Sequence, residues 1–182
     1  CIVVPLSFSD CNTLILPSWK SSIIRLVSDN PNPQPRFLVV NPGSKILLNK
    51  EPVYLKGISI HEESPLRDGR AYSKKDTEQL LRWAKELGCN YVRLAHYPHN
   101  EHMVRLADKM GILVWEENPV YWTIDWENPQ TYQNAENQLS ELIARDKNRA
   151  SVIIWSMANE TPTSAARNTF LTNLTDFTRK ED

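Results

Sequence analysis

From Phe37 onward, short apolar runs and stretches of helical period follow one another in turn. The runs Lys45-Ile46-Leu47-Leu48-Asn49 and Val53-Tyr54-Leu55-Lys56-Gly57-Ile58 flank the turn-like Asn49-Lys50-Glu51-Pro52, which predicts a hairpin whose second arm continues into a buried strand. Between about Lys75 and Leu87 the spacing puts Leu80, Leu81, Ala84 and Leu87 on one helical face, and Gly88 ends it. A strand is predicted at Tyr91 to Leu94. Asn100 can cap the next helix, with Met103, Leu106, Ala107 and Met110 at i, i+3, i+4 and i+7 before Gly111 stops it. A third strand at Ile112 to Trp115 precedes a helix over Gln133 to Arg145, whose buried stripe holds Ala135, Leu139, Leu142 and Ile143. The run Val152-Ile153-Ile154-Trp155 is apolar throughout, as in a strand covered on both faces. Thr and Asn weaken the last helix, Ser164 to about Thr178.

Four strands alternating with four helices predict an α/β fold with a parallel sheet and right-handed crossovers, either open and doubly wound or part of a closed barrel. Residues 1 to 36 behave differently. Six of the twelve prolines lie in the first 42 residues and no glycine precedes Gly43. Asp29-Asn30-Pro31-Asn32-Pro33-Gln34-Pro35 reads as a linker, and Ile23 to Val27 as a possible strand. The expected organisation is therefore 1–36 as an irregular or β segment of unassigned role and 37–182 as the α/β unit.

The 182 residues are 41% hydrophobic, and 21 Lys+Arg against 22 Asp+Glu leave a net charge of −1, a soluble globular balance. No Lys/Arg cluster provides a surface for nucleic acid, and no apolar run approaches the roughly 20 residues that cross a bilayer, so neither is expected as a partner. The chain is expected to be soluble, with the compartment open between secreted, periplasmic and cytoplasmic. It starts with Cys1, and no basic stretch there precedes an apolar one. Cys1, Cys11 and Cys89 are an odd, scattered set that supports neither a disulfide framework nor a zinc site; Cys89 reads as a small buried hydrophobe.

In parallel α/β folds the residues just past the carboxyl ends of the strands face the ligand crevice. Here those positions hold His61, Glu62 and Glu63; His96, Tyr97, Pro98 and His99; Glu116, Glu117 and Asn118, then Tyr121 and Trp122; and Asn159 with Glu160. Carboxylates, imidazoles, an amide and aromatic faces suit a sugar, whose hydroxyls need directed hydrogen bonds and whose C–H faces stack on rings. Glu160, at the end of an apolar strand near Trp155, fits a general acid/base made more basic by desolvation. It equally fits a charge capping the following helix, and spacing leaves both open. Glu116 and Glu117 alternate, so one faces the core and the other away, and a structural ion pair with a buried arginine such as Arg93 is the alternative to a catalytic role. His96, His99 and His102 cannot share one continuous helix because of Pro98, and no metal triad is expected. Tyr121, Trp122 and Trp126 suit either a sugar platform or core packing. No GxGxxG, P-loop, GxSxG or HExxH string occurs.

Four strings in order, Tyr54-Leu55-Lys56-Gly57-Ile58-Ser59-Ile60-His61-Glu62-Glu63, Asn90-Tyr91-Val92-Arg93-Leu94-Ala95-His96-Tyr97-Pro98, Asp108-Lys109-Met110-Gly111-Ile112-Leu113-Val114-Trp115-Glu116-Glu117 and Ser151-Val152-Ile153-Ile154-Trp155-Ser156-Met157-Ala158-Asn159-Glu160, resemble the catalytic barrel of family 2 glycoside hydrolases, the β-galactosidases, β-glucuronidases and β-mannosidases. The resemblance covers about residues 37 to 182. It implies a (β/α)8 TIM barrel of which about the first four βα units are present, and a retaining exo-β-glycosidase that needs no cofactor. By resemblance Glu160 is the acid/base, Asn159 the partner of the sugar 2-hydroxyl, His61 and His96 pocket-lining groups, and Arg93 a support for the nucleophile; Glu117, Tyr121 and Trp122 join them as candidate substrate-binding residues. Where some galactosidases of the family carry magnesium ligands, this chain reads Asn118-Pro119-Val120-Tyr121-Trp122-Thr123, and no metal is expected. The resemblance places the nucleophilic glutamate at the end of a seventh strand, beyond these four units. The expected partners are a β-glycoside and either the other half of the barrel or a second copy at one of two open sheet edges. The other reading is a non-catalytic sugar-binding or association module. A cellulase-type or mannanase-type barrel also places Asn-Glu after its fourth strand, but His61 and His96-Tyr97-Pro98 speak against it.

Overall fold

The computed structural model describes the backbone of residues 14–15 and 38–40 and all of 46–182. Five strands form one sheet in the order β1 (Leu14–Ile15), β8 (Val152–Ser156), β7 (Leu113–Glu117), β6 (Tyr91–Leu94) and β5 (Gly57–Ile60). The pairs β5·β6, β6·β7 and β7·β8 are parallel, with Ser59 opposite Arg93, Arg93 opposite Trp115 and Glu117 opposite Ser156. Helices α1 (Lys74–Glu86), α2 (Glu101–Met110), α3 (Pro129–Asp146) and α4 (Ala165–Glu181) follow the four parallel strands in turn. This is the predicted alternation. At the β8 edge the expectation of an open sheet is corrected, because β1 pairs there antiparallel, Leu14 opposite Ser156 and Ile15 opposite Trp155. Ile23 to Val27 and the proline-rich linker lie outside the described residues.

The helices start where polar side chains can satisfy free backbone donors. Ser73 and Asp76 make a reciprocal capping box on α1, and Asn100 caps α2, which ends at Gly111 with φ +68°. Helix α3 begins four residues earlier than its apolar period suggests, with Asn128 as cap and Pro129 in the first turn, where a missing N–H costs nothing. Leu87 lies beyond the last turn of α1 and is exposed, whereas Leu81 and Ala84 are fully buried. Cys89 is half-buried against the core, and burial pushes its thiol up.

The sheet has a core on each face. On one, Val92, Leu94, Val114 and Trp155 pack with Leu81, Met103, Leu139 and Leu174 from the helices. On the other, Tyr91, Leu113 and Ile154 pack with Ile46, Leu48 and Leu55. Ile46 and Leu48 come from β3 (Ile46–Leu48), the middle strand of a small antiparallel sheet with β2 (Leu38–Val40) and β4 (Glu51–Pro52). The hairpin turn is only Asn49–Lys50, both at positive φ, and its second arm stops at Pro52 instead of continuing into β5. Among the described residues no helix is long and apolar enough to cross a membrane.

Gly57 starts β5 directly against Tyr91. A Cβ there would lie 2.7 Å from the Tyr91 carbonyl oxygen and closer still to its ring. Gly57→Ala is therefore expected to destabilise the protein by about 1–3 kcal/mol, the usual cost of overpacking, read as a lower urea midpoint at unchanged slope. An unchanged midpoint would mean that β5 shifts without cost.

Candidate active site

The carboxyl ends of the four parallel strands open on a cleft of about 330 Å³ lined by His61, His96, Tyr97, Tyr121, Trp122, Asn159 and Glu160. That volume is of the size small-molecule sites require. The segment after β5 supplies His61, that after β6 His96 and Tyr97, that after β7 Tyr121 and Trp122, and that after β8 Asn159 and Glu160. The last two segments extend the sheet past its strands: Asn159 N donates to the Val120 carbonyl (2.9 Å) and Trp122 N to the Asn159 carbonyl (3.2 Å).

Behind the cleft lies a charged network. The Arg93 guanidinium donates through Nε (2.9 Å) and Nη2 (2.6 Å) to Glu117 Oε2, and its Nη2 also donates to Asn159 Oδ1 (2.6 Å). His96 Nδ1 lies 2.6 Å from Glu117 Oε1. A carboxylate only accepts, so in this contact Nδ1 carries the hydrogen. Trp115 stacks under the guanidinium at 4.4 Å. Glu117 is completely buried and does not line the cleft; it holds His96, which does, and Arg93, which in turn binds Asn159.

Glu116 points to the opposite, helical face, as strand alternation requires. It meets Arg145 (3.4 Å) and lies close to Asp146, which Arg145 also binds. Burial, followed by the charge of Asp146, pushes the Glu116 carboxyl well above the usual carboxylate range. Glu62, expected on the rim, is also buried: it binds Arg70 and accepts from the backbone N–H of Asn100. It thereby fastens the loop carrying His61 to the start of α2. The Tyr97 hydroxyl accepts from the Glu62 N–H (3.2 Å), and burial raises its pKa.

Glu160 is exposed, and the Trp122 indole N–H donates to its Oε2 (3.2 Å). The expected desolvating wall of Trp155 is not there, because the Trp155 indole faces the helices and donates to Asp182 (2.7 Å). The helix-cap alternative for Glu160 also fails: Ser164 caps α4. Trp126 packs edge-on against Phe170 at 5.3 Å in the core and is no part of a sugar platform. His99 is buried with its Nε2 on the Ala95 carbonyl (3.0 Å), and burial depresses its pKa to about 4.

Sequence reasoning missed the anchoring by Glu62, the Trp115 stack and the Trp122–Glu160 contact. Trp115 and Glu117 are two residues apart on one strand and so share a face. That spacing was the available signal for the stack.

A family model described as glycosyl hydrolases family 2, TIM barrel domain, matches residues 39–182. The chain belongs to this family. Its four βα units are accordingly part of a family 2 TIM barrel domain. Among curated relatives, the β-glucuronidase of Streptococcus agalactiae is 35% identical over 133 residues, 65% of this chain and 22% of the relative. That of Mus musculus is 38% identical over 133 residues, 68% of this chain and 19% of the relative. The chain thus spans only about a fifth of the length of these proteins. In solved structures, the β-glucuronidase from Ruminococcus gnavus in complex with C6-substituted uronic isofagomine superposes with a TM-score of 0.74 at 32% identity, covering 81% of this chain and 26% of that one. The family 2 β-galacturonidase from Eisenbergiella tayi bound to galacturonate gives 0.75 at 30% identity, covering 81% and 27%.

Proposed function

We propose that this chain carries the acid/base side of a retaining exo-β-glycosidase site, with Glu160 as the proton donor and β-glucuronides or closely related β-glycosides as substrates. The observation that carries the reading is the convergence of Glu160, Asn159, His61, His96 and the rings of Tyr97, Tyr121 and Trp122 on one cleft at the ends of four successive parallel strands. The glucuronidases and the galacturonidase it resembles favour uronides among β-glycosides.

In this mechanism Glu160 protonates the leaving oxygen and then, as carboxylate, takes a proton from the attacking water. Arg93 has only donors, so Asn159 turns Oδ1 to it and leaves Nδ2 to donate to a sugar hydroxyl beside the reacting carbon. His96 Nε2 and His61 offer further polar contacts, while Tyr121 and Trp122 present faces for the sugar ring. Arg93 and Glu117 hold this set in place from behind. Retention requires a second carboxylate about 5–5.5 Å from the first. Among the described residues Glu160 is the one carboxylate that lines the cleft, so the nucleophile comes from barrel units other than these four. Residues 37–182 then form the first half of the barrel, and 1–36 a segment before it from which Leu14–Ile15 joins the sheet beside β8.

The same lone carboxylate favours a second reading, a sugar-binding or association module without catalysis. Incubation of the barrel completed by its remaining units with aryl β-glucuronide, β-galactoside and β-mannoside, followed by 1H NMR of the first-formed anomer, separates these readings. Release of the β-anomer first supports retention. The α-anomer first overturns the retaining mechanism, and sugar binding by calorimetry without any hydrolysis leaves the second reading.

A further inference from the structure

We propose that Trp122 is a positioning residue for the Glu160 carboxylate, its indole N–H holding Oε2 so that the catalytic proton is carried on Oε1. The inference rests on Glu160 being the acid/base. As a sugar platform, Trp122 would need only its face. The structure gives its edge a task as well: Nε1 donates to Glu160 Oε2 at 3.2 Å, the one protein hydrogen bond to that side chain among the described residues.

The backbone is built to bring the two residues together. The Asn159 N–H donates to Val120 and the Trp122 N–H to Asn159, and Tyr121 pairs with Asn159 as a parallel bridge. Both Trp122 (φ +57°) and Glu160 (φ +50°) occupy the left-handed region, which residues with a Cβ adopt only when their surroundings impose it. Tyr121 meets the indole edge-to-face, with ring centroids 5.9 Å apart and planes at 84°. The indole is therefore braced from its own chain neighbour.

An indole N–H donates and cannot accept. When Glu160 is protonated, the carbonyl-type oxygen is the better acceptor for that N–H, so the bond favours the O–H on Oε1. When Glu160 is ionised, the same bond keeps the carboxylate from rotating between the protonation and deprotonation steps. An otherwise exposed side chain thus has one orientation through both half-reactions.

Trp122→Phe keeps an aromatic face and removes the donor. With the full-length protein and two glycosides of one sugar, one with an activated aryl leaving group and one with methanol, the two roles separate. Positioning predicts a loss in kcat/KM of about tenfold or more for the methyl glycoside, within the ~10²–10⁴ that general acid catalysis supplies, and little for the activated one. Equal losses, or none, overturn it. Glu160→Gln is the control: if its own loss does not depend on the leaving group, the acid/base assignment itself fails. Indole 1H–15N spectra test the contact without turnover. The resonance that disappears in Trp122→Phe is expected to move in Glu160→Gln, and one that stays in place refutes the hydrogen bond.

Discussion

Replacing Glu160 by alanine is expected to lower hydrolysis of a glycoside with a poor leaving group by about 10²–10⁴-fold, the range general acid–base catalysis supplies. Glu160 is the only carboxylate that lines the cleft among the described residues, so on the proposed role none of them can take over the proton transfers. The loss should fall unevenly. A leaving group that departs as a stable anion needs no protonation, so the first step survives and the glycosyl-enzyme accumulates for want of a base. Azide needs no base to attack, and it should restore turnover of the activated substrate and give the β-glycosyl azide if the mechanism retains configuration. Rescue without azide incorporation, or full activity on the poor leaving group, would remove Glu160 from the mechanism.

The parts of the fold that a local pattern determines were legible in the chain. Leu81 and Ala84, Met103 and Ala107, Leu139 and Ile143 recur at helical spacing because one face of each helix is buried, and each pair is buried as expected. The run at β8 is continuously apolar because hairpin residues cover one sheet face and helices the other, and each of its five residues is buried. Where two non-local groups compete, the chain was silent. Nothing around Trp155 in sequence shows that its indole turns to Asp182, 27 residues on, while Trp122 supplies the ring beside Glu160. Alternation told that Glu116 and Glu117 face opposite ways but not which one meets Arg93. That depends on register, which sets Arg93 opposite Trp115 and so brings its guanidinium to the face shared by Trp115 and Glu117.

That register makes Arg93 the most consequential structural residue of the site. Arg93→Met keeps an aliphatic stem over Trp115 but leaves the Glu117 carboxylate, 0% exposed, with His96 as its remaining partner. Taking one member from a buried ion pair costs about 3–5 kcal/mol because the other charge stays desolvated, whereas neutralising both members can come close to no cost. The single variant is therefore expected to lose that much stability in urea unfolding, and Arg93→Met with Glu117→Gln to recover most of it, since glutamine can still accept from His96 Nδ1 through its carbonyl oxygen. Recovery has a further consequence for the site. Asn159 Oδ1 stays without its donor in the double variant, so the amide is free to turn, and sugar affinity should remain reduced although stability returns. A single-variant loss below about 1 kcal/mol would place the pair with the exposed salt bridges, whose worth is of that order, and Arg93 would then orient Asn159 without holding the fold.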